Sequence, residues 1–245
     1  MHYEGHMIRP PSEAYSILLQ ATVGCSHNKC TFCGAYKGER FKIKPDEIID
    51  ADIAFAAAHC RHQRRLFICD GDALIIPQKR LLRILQSIRQ RLPWVTRVGV
   101  YANTKSIRMK SAEELATLHA NGLGIAYMGV ESGDDSTLAA VRKGANAQGM
   151  IDAGRKLRQA GIKLSVTVLL GVAGVQRSVV HAQETGRVIS AIDPEYVGAL
   201  SLMLIPGTAL YDDYQAGRFE LLSPEAMLQE LGVMIACTEM SGGLF

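Results

Sequence analysis

Six times along this chain a short β-rich run gives way to a longer helical pattern, and that alternation leaves few folds open. The runs are Ser16–Thr22, Arg65–Cys69, Arg97–Tyr101, Ile125–Val130, Lys163–Leu170 and Tyr196–Leu204. Helix signals fill the segments after them. Pro45 stands at a first helical position with Asp46 and Glu47 in the acidic first turn, for a helix to about His59. Leu81, Leu82, Leu85 and Ile88 trace one face of a helix over Lys79 to Arg91. Ser111 and Glu114 form a capping box for a helix to about Ala120. Further helices are expected over Ala147 to Ala160, stopped by Gly161, over Ser178 to Ser190, and after Ser223-Pro224. Successive βα units with right-handed crossovers give a parallel sheet. The expected fold is α/β, a partial (β/α)6 TIM-like barrel. A doubly wound open sheet is the alternative, which periodicity does not separate from it.

The chain has 245 residues, 48% of them hydrophobic, and shows no linker or low-complexity segment. One domain over 1–245 is expected, with its core at about 16–211 and a short C-terminal helical extension. A net charge of +3 is too small to argue for nucleic acid. The first residues lack the basic-then-apolar pattern of a secretory leader, and no apolar run reaches membrane-spanning length. Six cysteines without such a leader read as thiols or metal ligands in a reducing, cytoplasmic setting.

Chemistry concentrates after the strands. The clusters at Cys25, Asp70, Asn103, Glu131, Gly171 and Pro206 each follow the C-terminal end of an expected strand, where α/β proteins bind ligands. The first is the most specific. Cys25, Cys30 and Cys33 have the spacing C-x4-C-x2-C, flanked by Gly24 and Gly34, which permit tight turns. Three soft thiolates on one loop can wrap one metal centre and leave a coordination position open, whereas closed structural sites take four ligands.

With aromatic Phe32 before Cys33, this loop resembles the cluster-binding signature of the radical S-adenosylmethionine superfamily, with four residues instead of the usual three between the first two cysteines. The resemblance extends over roughly Ser16 to Tyr211. Asp70-Gly71-Asp72-Ala73-Leu74 occupies the place of that superfamily's Gly-Gly-Glu-Pro motif, which binds the methionine amino group; Asp70 stands for a glycine and Asp72 is a methylene shorter than glutamate. Gly129-Val-Glu131-Ser132-Gly133 resembles the fourth-strand motif of the branch containing methylthiotransferases and oxygen-independent coproporphyrinogen oxidases. There a polar residue reaches the ribose and a later basic residue, here Arg142 or Lys143, meets the methionine carboxylate. Val168 to Gly174 resembles the segment against which adenine packs. The resemblance therefore implies a 4Fe-4S cluster on Cys25, Cys30 and Cys33. It implies S-adenosylmethionine held by Phe32, Asp70, Gly71, Asp72, Asn103, Glu131, Ser132, Arg142 or Lys143, and Gly171. It also implies reductive cleavage of S-adenosylmethionine to a 5′-deoxyadenosyl radical acting on an unidentified substrate, and an electron donor such as flavodoxin or ferredoxin.

Other readings compete. Structural zinc on the three cysteines with His27 as fourth ligand would make the protein a sensor or scaffold, but zinc modules usually draw ligands from two separated pairs. Cys60, Cys69 and Cys237 are expected as small buried hydrophobes. His181 is expected on a helix surface, and Lys37, Arg40, Lys42 and Lys44 on a solvated face. Ser165 and Thr167 share one face of their strand, toward the barrel interior. No segment suggests cobalamin or RNA binding, and the substrate is not legible.

Overall fold

The computed structural model describes all residues, Met1–Phe245. In chain order the elements are β1 (Ile17–Leu19), β2 (Thr22–Val23), β3 (Lys42–Ile43), α1 (Asp46–His59), β4 (Arg65–Ile68), α2 (Gln78–Arg91), β5 (Arg97–Tyr101), α3 (Thr104–Arg108) and α4 (Ala112–Ala120). They continue as β6 (Leu123–Glu131), α5 (Asp135–Ala140), α6 (Ala147–Gln159), β7 (Lys163–Leu170), α7 (Gly174–Ile192), β8 (Tyr196–Ser201), α8 (Ala209–Gln215) and α9 (Pro224–Ala236). One sheet of six strands has the order β1-β4-β5-β6-β7-β8. The pairs β1–β4, β4–β5, β5–β6 and β7–β8 are parallel. The end strands β1 and β8 are not neighbours, so the sheet is not closed. This is the α/β, partial (β/α)6 arrangement that the alternation predicts.

The chain divides into two compact units. One comprises Met1–Ser26, Gly38–Met128 and Lys156–Leu164, the other His27–Lys37, Gly129–Arg155 and Ser165–Phe245. In the first, Phe67, Cys69, Ile125 and Tyr127 form a buried cluster with Met7, Leu18 and Tyr101 packed on it. Phe67, Tyr101 and Tyr127 meet edge to face, the geometry that ring quadrupoles favour. In the second, Val141, Leu169, Val172, Leu202 and Leu210 form a core, and Phe32 and Phe219 pack against it.

Several elements depart from expectation. The first run breaks after Leu19, and Thr22–Val23 pairs antiparallel with Lys42–Ile43 instead. Buried Gln20 marks the break: its amide bonds both ways with the Glu4 backbone and donates to Asp70. Helix α7 begins at Gly174, one turn early, and α3, α5 and α8 are helices in segments that no expected element covers. Lys44 is buried rather than solvated, its ammonium donating to the His2 carbonyl. His181 is also fully buried, contrary to a surface position. Along β7, Ser165 and Thr167 are half-buried while Leu164, Val166 and Val168 are buried, so the expected alternation holds.

Candidate cluster and cofactor site

In the first unit the site is built around Asp72. Its carboxylate is fully buried, and its oxygens accept from Ser26 Oγ at 2.5 Å, Asn103 N at 3.2 Å, Asn103 Nδ2 at 2.7 Å and Ser106 Oγ at 2.6 Å. Burial pushes the carboxyl pKa up, opposed by these hydrogen bonds. Asn103 caps α3 by accepting from Ser106 N, with a reciprocal bond from its own N–H to Ser106 Oγ. Asp72 thus ties together the α3 N-terminus and Ser26, the neighbour of Cys25. Its oxygens are turned to these donors. Gly71 N donates to the Gly24 carbonyl at 3.2 Å, joining the loop after β4 to the turn that leads into Cys25. Gly24 makes that turn at φ +81°. Asp70 is buried at φ +75° and accepts from Gln20 at 2.7 Å.

The second unit carries Cys30 and Cys33. Their loop is strapped by backbone bonds: Thr31 N donates to Val141 O, and Leu210 N donates to Thr31 O. Asn28 Nδ2 closes the loop on the Tyr36 carbonyl at 2.8 Å. Gly34 permits close approach, because a Cβ there would meet Ile205 Cγ2 at 2.7 Å. Phe32 packs on the core that contains Val172, bringing the cysteine loop and the segment after β7 into one hydrophobic cluster.

Glu131 and Lys143 form an ion pair at 2.8 Å, both largely buried. Gly129 makes room for them, since a Cβ there would lie 2.1 Å from Glu131 Oε1. Arg142 is exposed, in a left-handed turn at φ +53°, and its carbonyl accepts from His27 Nε2 at 2.8 Å. That nitrogen of His27 is therefore occupied. Ser132 is buried; its hydroxyl accepts from Asp134 N at 3.0 Å and lies 2.8 Å from His181 Nδ1. Its hydroxyl holds the turn. Asp134 receives Arg177 at 2.8 and 2.9 Å, which holds its carboxyl well below the usual range. Gly171 turns at φ +80°, its N–H donating to Glu230.

Of the five non-glycine residues at positive φ, Asp70, Glu131 and Arg142 are expected site residues. Such backbone costs on the order of 1–3 kcal/mol each and collects at functional positions. None of the six cysteines is in a disulfide, and Cys25, Cys30 and Cys33 are all half-exposed. Soft thiols on a hydrogen-bonded loop suit an iron-sulfur cluster as donors. No group of three or more His, Cys, Asp or Glu side chains is arranged to hold a single metal ion. Of the other cysteines, Cys69 is buried as expected and burial raises its thiol, while Cys60 and Cys237 are half-buried at helix ends. Side chains of these hydrogen-bond networks that the sequence did not mark are Glu230, Ser26, Gln20 and Ser106, while His181 is buried where a surface position is expected.

A model of the radical SAM superfamily matches residues 19–181, more than half of the 245. Among solved structures, methylornithine synthase (PylB) is similar at 16% identity and TM-score 0.63, over 93% of this chain and 66% of that one. Coproporphyrinogen III oxidase (HemN) from Escherichia coli is similar at 16% identity and TM-score 0.64, over 90% and 51%. The radical S-adenosylmethionine methyltransferase TsrM from Kitasatospora setae, with cobalamin and a 4Fe-4S cluster bound, is similar at 18% identity and TM-score 0.65, over 80% and 38%. At these identities the likeness is one of fold, and the chain spans between 38% and 66% of the length of these three proteins. No curated protein matches the sequence. The family match, over the cysteine loop and the strands that follow it, places this chain in the radical SAM superfamily.

Proposed function

We propose that the protein is a radical SAM enzyme that cleaves S-adenosylmethionine reductively and uses the product radical on a substrate of its own. The observation that carries this reading is the superfamily match over 19–181, which begins before the C-x4-C-x2-C loop and continues through the motifs after β4, β6 and β7. Cys25, Cys30 and Cys33 would hold a 4Fe-4S cluster. When bound, that cluster supplies one electron to break a sulfur–carbon bond of S-adenosylmethionine, giving methionine and a hydrogen-abstracting 5′-deoxyadenosyl radical.

The chain's own residues orient the cofactor. Asp72 fixes Ser26 beside Cys25 and fixes Asn103, and so sets the loops meant for the methionine amino end. Lys143, largely buried and paired with Glu131, is better placed for the methionine carboxylate than exposed Arg142. Glu131 is left to accept from the ribose hydroxyls, at the end of the strand whose turn Ser132 stabilises. Phe32, in the same cluster as Val172, offers adenine an apolar surface beside Gly171 and keeps water away. An electron donor such as flavodoxin or ferredoxin would serve the cluster.

Anaerobic reconstitution tests the reading. Iron and sulfide should bind in a ratio near four each, and the reduced protein should give an electron paramagnetic resonance signal that S-adenosylmethionine shifts. Stoichiometric zinc with no iron uptake would favour the sensor instead.

A further inference from the structure

Two buried ionisable side chains in the second unit have no part in the roles above. His181 on α7 and Glu230 on α9 have fully buried side chains, with Nε2 and Oε1 3.5 Å apart. A carboxylate or imidazole is costly to bury unless its hydrogen bonds are met. Glu230 Oε1 accepts from Gly171 N at 2.7 Å, and Oε2 accepts from Ser178 Oγ. His181 Nδ1 lies 2.8 Å from Ser132 Oγ, and no hydrogen-bond partner reaches Nε2. Ser132 Oγ accepts from Asp134 N, and the Thr185 hydroxyl also lies 3.3 Å from His181 Nδ1. His181 Nε2 faces Glu230 Oε1 across 3.5 Å without a hydrogen bond between them. Thr185, one turn along α7, accepts from Gly133 N at 2.8 Å.

Glu230, bonded to Gly171, and His181, beside Ser132, therefore adjoin in one buried polar cluster. Its two ends are the backbone segments assigned above to the adenosine part of the cofactor. The Ser132 end is costly to hold, because Glu131 stands at φ +63°, whereas glycine takes φ +80° freely at position 171. Helix α9 also bounds the first segment sterically, since a Cβ on Gly171 would meet Met227 Cε at 2.9 Å. Burial lowers the His181 imidazole to about 4 and raises the Glu230 carboxyl, which keeps the imidazole neutral at pH 7. Residue 230 lies beyond the family match, which ends at 181.

We propose that Glu230 and His181 are positioning residues. Glu230 fixes the Gly171–Gly174 segment and His181 fixes the Ser132 turn, so that the nucleoside end of S-adenosylmethionine meets a surface already set. This rests on the proposed function, and it makes the C-terminal helix part of the cofactor site. Preorganisation of this kind acts on affinity by removing the ordering cost from the binding step.

The test is calorimetry on anaerobically reconstituted protein with three ligands: S-adenosylmethionine, 5′-deoxyadenosine and methionine. Glu230→Ala should weaken the first two roughly tenfold, the value of one lost charge-assisted hydrogen bond, and leave methionine within about twofold. Glu230→Gln retains an oxygen for Gly171 N and should recover most of the affinity. His181→Ala should act on the same two ligands. Iron content and melting temperature are measured on each variant. If Glu230→Ala does not fold, Ser178→Ala and Glu230→Gln are compared in the same way. Equal losses for all three ligands would mean a general structural role and overturn the proposal, as would unchanged nucleoside affinity in Glu230→Ala. Wild type that binds no nucleoside at all would sink the proposed function first, and this inference with it.

Discussion

At the scale of single residues, the thiols make the sharpest claim. Alanine at Cys25, Cys30 or Cys33 should each abolish the brown absorbance and bound iron of the reconstituted protein, because two thiolates hold a 4Fe-4S cluster poorly. Alanine at Cys60, Cys69 or Cys237 should leave both in place. Iron analysis decides it: loss with Cys237→Ala and retention with Cys30→Ala would reverse the assignment. Glu131→Ala should keep its iron yet weaken S-adenosylmethionine binding by roughly tenfold or more, for loss of a charge-assisted hydrogen bond. Calorimetry showing unchanged affinity would leave Glu131 as a partner for Lys143 alone. His181 gives a pH signature. An unfolded chain takes up its proton near 6.5, the folded one near 4, so the folded state loses stability as pH falls across that window. The loss reaches about 3 kcal/mol at the lower end. The raised Glu230 carboxyl acts in the opposite sense, taking its proton earlier in the folded state, and nearby Asp134 works to raise the histidine. In urea titrations at falling pH, the stability gap between wild type and His181→Gln should therefore narrow. A constant gap would mean that His181 does not titrate between the two values.

At the scale of elements, glycines show which contacts the site turns depend on. Gly133→Ala would put its Cβ 2.2 Å from the Glu184 carbonyl oxygen of α7, a backbone atom that cannot rotate away. It should cost about 1–3 kcal/mol in denaturant unfolding. Gly232→Ala on α9 meets nothing within 4 Å and should be neutral or stabilising by about 0.5–1 kcal/mol. Equal losses from the two would mean that the close packing of Gly133 on α7 is not what matters there. Much of this level was legible in advance. The Ser111–Glu114 capping box is present with both reciprocal bonds, and β7 has the expected bounds, because capping and strand periodicity are local signals. The pair β2–β3 and helices α3, α5 and α8 span two to seven residues, too short for a period to register. Helix α7 misled for a different reason. Its last turns bury Val188, Ile189 and Ile192 in the usual way, but before them it exposes Val175, Val179 and Val180 while burying His181 and Thr185, the reverse of an ordinary amphipathic helix. Only the tertiary partners Ser132, Gly133 and Glu230 make that burial affordable, and no local pattern contains them.

For the whole molecule, the order of six βα units already implied the parallel sheet, and the cysteine loop already implied the family. Sequence could not divide the motif residues into those that face a ligand and those that support it. Asp72 and Ser132 sit in recognisable motifs, yet their side chains are spent on Ser26, Asn103, Ser106, Asp134 and His181. That distinction depends on burial, which a motif does not encode. Reductive cleavage of S-adenosylmethionine is the activity on which every role proposed for these residues depends. Reconstituted protein, dithionite and S-adenosylmethionine should be incubated anaerobically and the products separated by chromatography. Slow formation of 5′-deoxyadenosine and methionine even without substrate, absent from the Cys30→Ala protein, is the predicted result. A protein with a full cluster complement that binds the cofactor but yields no 5′-deoxyadenosine with several reductants, or yields S-adenosylhomocysteine instead, would contradict it.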